Sequence, residues 1–170
     1  SVSSIAVLSA PDGWFYHFVR WVDTVGVDKQ VVLSLSRARY NRDTEALEAD
    51  TVEIARSATV QVGADAHVVA TVYQAPSKDR VLVRFVEPNS SGSLRAARIK
   101  VVQFVHGGTS STVLHDYTPP AFENPFTHFI YGYGPLVFTD DNNWVLMVFI
   151  LRADFSGSSP PPNNTMIPVR

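Results

Sequence analysis

The chain of 170 residues contains no cysteine. That removes thiol nucleophiles, disulfide staples and cysteine-based zinc sites together. A domain of this size must then be held by packing or by its neighbours. Lysine is scarce. Of 14 basic residues only Lys29, Lys78 and Lys100 are lysines, and the rest are arginines. Arginine pairs in a bidentate way and sheds water more easily, so the bias suits interfaces, although a GC-rich genome would produce the same bias. Charge of one sign is also lacking. A formal net charge of −2 gives no overall attraction to nucleic acid or anionic lipid. The opening residues SVSSIAVLSAP carry no basic n-region, so no signal peptide is expected. The longest apolar run, Trp144–Leu151, is about a third of a membrane span.

Apolar residues at 45% against 18% charged mark a globular chain rather than a disordered one. β-Branched and aromatic residues recur with a period of two. Strands are expected near 3–9, 14–22, 30–39, 51–62, 67–75, 80–86, 97–106, 111–116, 127–138 and 143–153. The turn-rich segments APDG, VGAD, APSKD, EPNSSGS, HGGTS and TDDNN separate many of them. This spacing predicts an all-β fold, an antiparallel β-sandwich of jelly-roll type with at most one short helix. The helix is expected as a turn at 43–49, capped by Asp43 or Thr44, before a strand through Val52 and Ile54. No internal repeat stands out. The predicted organisation is one sandwich domain over 1–155 and an extended Pro-rich tail over 156–170, whose three consecutive prolines exclude regular structure.

Strand parity assigns faces. In 80–86, Val81, Val83 and Phe85 face one way and Arg80, Leu82 and Arg84 the other. In 97–105, Ile99, Val101 and Val105 lie opposite Arg98 and Lys100. Both read as ordinary half-buried strands. If they are neighbours, Arg80, Arg84, Arg98 and Lys100 are expected to form one basic patch on an outer face, a solvated surface or a contact for an acidic partner. Strand 144–151 is different, with Trp144, Leu146, Val148 and Ile150 on one side and Val145, Met147, Phe149 and Leu151 on the other. Such a strand must be covered twice. The cover comes from loops, the tail, a helix or another subunit. Strand 14–22 has the same two-sided apolar character.

The richest stretch is PFTHFIYGYGPLVF, 125–138, where Phe129, Tyr131 and Tyr133 share a face and Gly132 and Gly134 lie opposite. Glycine within a strand marks a bend or a close approach. Tyrosine suits a partly wet recognition surface. Packing in the core or at a sheet edge is the plainer account of the same rings.

Signatures of chemistry are missing. His17, His67, His106, His115 and His128 fall in no metal-ligand spacing. Asp140 and Asp141 sit in a turn with no EF-hand pattern. HGG at 106–108 alone is better explained by a hairpin than by an oxyanion hole, and no glycine loop precedes a helix to cradle phosphate. Two sequons begin at Asn89 and Asn163. No enzyme activity, cofactor or metal is expected. The sequence instead leads to a self-assembling, receptor- or ligand-binding sandwich, in concrete form a viral coat or spike domain on a virion surface, by analogy of fold alone. It would form a homo-oligomer and engage a host glycan or protein receptor, with no nucleic acid or membrane partner. The alternative is a soluble lectin with Tyr131, Tyr133 or Trp144 as stacking platforms and Asp140, Asp141, Asn142 and Asn143 as hydrogen-bonding partners. A pore-forming or lipid-binding protein is a third and weaker expectation, because no basic residues flank the aromatic cluster.

Overall fold

The computed structural model describes the backbone of residues 2–87, 98–117, 126–154 and 164–169, and side chains over 2–87, 98–117 and 135–147. Alternating apolar side chains form eleven antiparallel strands: β1 (Val2–Ser9), β2 (Phe15–Val25), β3 (Asp28–Asn41), β4 (Ala46–Arg56), β5 (Val69–Gln74), β6 (Arg80–Glu87), β7 (Arg98–Val105), β8 (Thr112–Tyr117), β9 (Phe126–Phe138), β10 (Trp144–Asp154) and β11 (Asn164–Val169). The all-β class is as expected. The ten predicted strands correspond to β1 to β10.

The strands form three sheets. Sheet A has the order β1-β2-β3-β4, sheet B β5-β6-β7-β8, and sheet C β9-β10-β11. Every hydrogen-bonded neighbour is a sequence neighbour, so each sheet is a meander. The crossed pairing that defines a jelly roll does not occur among the described strands. Short turns dictate this at β1–β2, β2–β3, β3–β4, β5–β6, β7–β8 and β9–β10. A tight hairpin can only return the chain beside the strand it has just left.

Sheets A and B pack face to face. Tyr16, Phe18, Val31, Leu33, Leu35, Val52 and Ile54 meet Val81, Val83, Phe85, Val102 and Phe104. The opposite face of sheet B is covered as well. Leu82, Ile99 and Val101 are at most 1% exposed and form a second core with Leu136 and Leu146 of sheet C. Sheet B is therefore the middle of three layers. This corrects the expectation that β6 and β7 are half-buried: they are covered on both sides. Leu146 and Trp144 of β10 turn toward sheet B, while Val145 and Met147 lie half-buried on the far face.

Two local expectations fail for physical reasons. The helical turn at 43–49 is instead a tight turn over residues 42–45 leading into β4. The Asn41 carboxamide oxygen accepts the amide N–H groups of Asp43 and Thr44, and Glu45 takes the left-handed conformation at φ 53. Pairing of Arg39 with Glu48 and of Arg37 with Asp50 then fastens β4 to β3. The tail also gains regular structure at its end, where β11 pairs with β10 from Leu146 opposite Val169 to Leu151 opposite Asn164. Pro168 is tolerated opposite Met147 because β11 is an edge strand, where an absent N–H costs no ladder bond. The triple proline and both sequon asparagines, Asn89 and Asn163, lie outside the described residues.

The meander order also exposes a repeat that sequence inspection missed. Each sheet begins with a hairpin whose turn has related chemistry: Ala10-Pro11-Asp12-Gly13, Ala75-Pro76-Ser77-Lys78 and Thr139-Asp140-Asp141-Asn142. Asp12, Gly13 and Lys78 all have positive φ, as such reversals require.

Candidate functional site

The three first-hairpin turns line up at one end of the stack. From the turn side of sheet B, Gln74 Nε2 donates to the Ser9 carbonyl at 2.7 Å and Lys78 Nζ to Ser9 Oγ at 3.2 Å. On the other side of that sheet, the Ser77 amide donates to Asp141 Oδ1 at 2.7 Å, and Arg80 Nη2 reaches Asn142 Oδ1 at 3.4 Å. These bonds tie the same corner of all three layers together.

The turn after β9 is closed from within. The Asp140 carboxylate accepts the Asn142 and Asn143 amides at 2.7 and 2.8 Å and the Asn143 side-chain amide at 2.8 Å. The Thr139 amide donates to the Asn143 carbonyl. The Asn143 side chain first, then the Asn142 amide, hold the Asp140 carboxyl below its ordinary range, with Arg80 adding attraction. Asp140 and Asp141 thus serve the turn and its docking on sheet B. Asn142, Asn143, Thr139, Trp144 and Val145 line an open cavity of about 440 Å³. Trp144 is half-buried there, packed on the Leu82–Leu146 cluster. An indole flanked by amides and a hydroxyl can stack on a flat ring and hydrogen-bond its substituents.

The three candidate stacking residues, Tyr131, Tyr133 and Trp144, stand at different heights along sheet C. Trp144 pairs with Phe138, whereas Tyr133 pairs with Val148, and Tyr131 follows Ile130, which pairs with Ile150. At about 3.4 Å per residue, Tyr133 stands about 14 Å down the strand from Trp144 and Tyr131 farther still. The side chains of Tyr131, Tyr133 and His128 lie outside the described residues.

The expected basic patch does not assemble. β6 and β7 do pair, but Arg80 lies opposite Val105 and Arg84 opposite Val101, while Lys100 lies opposite Phe85 and Arg98 opposite Glu87. Directly opposed residues share a face, so Arg80 and Arg84 point to the sheet C side and Arg98 and Lys100 to the sheet A side. Each has a local partner. Arg98 forms a bidentate pair with Asp116, which depresses that carboxyl. Lys100 Nζ lies 2.8 Å from Glu87 Oε1, with Glu87 1% exposed and also accepting the Ala58 amide. Removing one member of such a buried pair costs about 3–5 kcal/mol. Arg80 bonds Gln103 and lies over Phe138, and Arg84 bonds Thr71 and lies over Tyr73.

A second polar cluster, unforeseen from sequence, sits beneath the β7–β8 turn between sheets A and B. Tyr16, 1% exposed, shares a 2.5 Å hydrogen bond with His106 Nδ1, and His106 Nε2 lies 3.4 Å from Asp12. Burial raises the Tyr16 hydroxyl above its ordinary range. Arg37, 8% exposed, grips Asp50 with Nε and Nη2, donates Nη1 to the Gly108 carbonyl and lies over Trp14 and Phe104. Its guanidinium holds Asp50 below the usual carboxylate range. These contacts anchor the turn that carries HGG, and the glycines there serve chain reversal: Gly107 has φ +78, and a Cβ on Gly108 would meet the Val105 carbonyl at 2.9 Å. His115 stacks on Tyr117 and His17 bonds Ser4, so the described histidines do not converge. Among the described residues no group of three His, Asp or Glu side chains is placed to hold a metal.

Compared with known proteins, the chain matches no family model, no curated protein and no solved structure.

The depressed Asp140 carboxyl predicts a pH response. Its stabilising bonds are complete above the ordinary aspartate range and are lost only as pH falls through the lowered value. The amide shifts of Asn142 and Asn143, followed by NMR, should titrate with a midpoint below that of an ordinary aspartate, and Asp140→Asn should abolish the transition. A midpoint at or above the ordinary value would contradict the closed turn.

Proposed function

We propose that the chain is a non-enzymatic scaffold of stacked β-meanders that assembles with copies of itself and presents its aligned turns to a partner. The observation that carries this is the layered arrangement. Sheet B has both faces buried, while sheet A retains an outer face bearing the exposed apolar side chains Val7, Phe15, Tyr40 and Leu47. Contiguous exposed apolar surface is the usual mark of an interaction face. Meanders packed face to face, with their first turns aligned, resemble the blades of a propeller-type array. The polar groups serve the framework: Arg37, Glu87, Asp140 and Asp141 are all engaged in holding turns and strands.

A coat or spike domain is the narrower form of this proposal. It draws on the absence of cysteine, the scarcity of lysine and strands apolar on both faces; likeness to a jelly roll lends it no support, since the described sheets are sequential meanders. The general form is tested by molar mass in solution, from light scattering over a range of protein concentrations. A defined multiple of 18.7 kDa is expected. A monomer at the highest concentration would remove self-assembly from the proposal.

The cavity beside Trp144 favours a second function, recognition of carbohydrate. Its ligand would stack on the Trp144 indole and bond Asn142, Asn143 and Thr139, while Tyr131 and Tyr133 stand too far along β9 to join. Loss of an aromatic platform costs about 1 kcal/mol or more. Glycan-array binding that falls at least fivefold in Trp144→Ala and in Asn142→Ala, with unchanged circular dichroism, is the expected result. An empty array for the wild-type chain would exclude this ligand class.

A further inference from the structure

We propose that the cavity beside Trp144 takes a single neutral pyranose ring, held through a vicinal pair of hydroxyls by Asn142 and Asn143 without a metal ion. This rests on the carbohydrate reading above and specifies its ligand class.

The orientation of the two carboxamides comes first. Arg80 Nη2 lies 3.4 Å from Asn142 Oδ1. A guanidinium only donates, so it fixes the Asn142 oxygen on its own side. Asn143 is fixed in the opposite sense. Its Nδ2 donates to Asp140 Oδ2 at 2.8 Å, and a carboxylate only accepts. Asn142 Nδ2 and Asn143 Oδ1 are left without a partner among the described residues. Both residues line the cavity, so one free donor stands beside one free acceptor. The Thr139 hydroxyl, on the same cavity, acts either way.

This pattern selects hydroxyl groups. A hydroxyl is donor and acceptor at once. Of two on neighbouring carbons, one accepts the Asn142 N–H and the other donates to the Asn143 oxygen. A ligand carboxylate would satisfy only Asn142, and an ammonium only Asn143.

No ionisable side chain lines the cavity, and the charges beside it are spent on the framework. Asp140 Oδ1 accepts the amides of Asn142 and Asn143, and its Oδ2 accepts the Asn143 side chain. Asp141 Oδ1 accepts the Ser77 amide. Arg80 is shared between Gln103 and Asn142. A hard cation requires carboxylate oxygens turned toward it, whereas those of Asp140 are turned toward N–H groups. A charged ligand therefore gains no ion pair, and a metal bridge gains no carboxylate from Asp140.

Size and shape agree. At about 440 Å³ the cavity is near the lower end for small-molecule sites, about 300–1,000 Å³, which suits one ring. Trp144 and Val145 supply the apolar part against which the C–H face of a pyranose packs. Trp144 is held by the Leu82–Leu146 cluster, so its indole is in place before a ligand arrives.

The test titrates the full chain with methyl pyranosides of gluco, galacto and manno configuration, followed by the NMR signals of the Trp144 indole and the Asn142 and Asn143 side chains. At least one glycoside should shift all three saturably, unchanged by EDTA or added sodium chloride. Among its monodeoxy analogues, two that lack adjacent hydroxyls should bind about tenfold more weakly. Asn142→Asp keeps an acceptor for Arg80 and removes the free donor. It should lose about tenfold in affinity at a wild-type urea midpoint. Binding abolished by EDTA, or glucuronic acid or glucosamine binding tenfold more tightly than the neutral glycosides, would overturn this assignment while the carbohydrate reading stands. If no sugar, neutral or charged, shifts Trp144, both fall.

Discussion

The architecture depends on one constraint, the apolar character of both faces of sheet B. Val81, Val83, Phe85, Val102 and Phe104 require one cover, and Leu82, Ile99 and Val101 require another. Each buried side chain of this size is worth roughly 1.5–3 kcal/mol relative to exposure. Several on each side make a two-layer sandwich, with one of these faces wet, untenable. Sheet C satisfies the second demand through Leu136 and Leu146. In doing so it sets the register of β9 against β10 and places the TDDNN turn beside the β5–β6 turn.

Covering a face that also carries Arg80 and Arg84 requires a specific solution. Their aliphatic stems lie on apolar surface, and their guanidinium groups lie over Phe138 and Tyr73 while bonding Gln103 and Thr71. Weakly hydrated, planar arginine permits this, and lysine would not do so as well. The same chemistry recurs between sheets A and B, where Arg37 is held by Asp50, Trp14 and Phe104. The arginine bias of the sequence therefore has a structural use, the lining of interlayer edges. It does not create a basic surface.

Much of this was legible in the sequence, and the limits have physical causes. Period-two alternation is local, so strand positions could be read directly, while the pairing of β6 with β7 entered only as a condition. The turn at Asn41 was missed because good helix formers at 43–49 compete with cross-strand pairing, and Arg37 and Arg39 on a neighbouring strand decide the outcome. β11 was missed because three prolines dominate the tail, whereas strand pairing begins beyond them. The basic patch failed on register, which sets Arg84 opposite Val101 and Lys100 opposite Phe85. No composition pattern reveals that offset. At the candidate site, Asp140, Asp141, Asn142, Asn143 and Trp144 were named from one continuous stretch of sequence. Ser77, Lys78 and Ser9 were not, since only the stacking of layers brings those turns together. The related turn chemistry at Ala10, Ala75 and Thr139 was the available signal for it.

A three-layer stack explains how a chain without cysteine holds its shape. Its most direct test is the stability of Leu82→Ala, measured by urea unfolding. In a two-layer sandwich Leu82 would sit between two arginines on a wet face, and truncation would cost under about 0.5 kcal/mol. In the stack it is fully buried against sheet C, and the loss should be about 2–5 kcal/mol. A loss below about 0.5 kcal/mol would contradict the covered middle sheet on which the account rests.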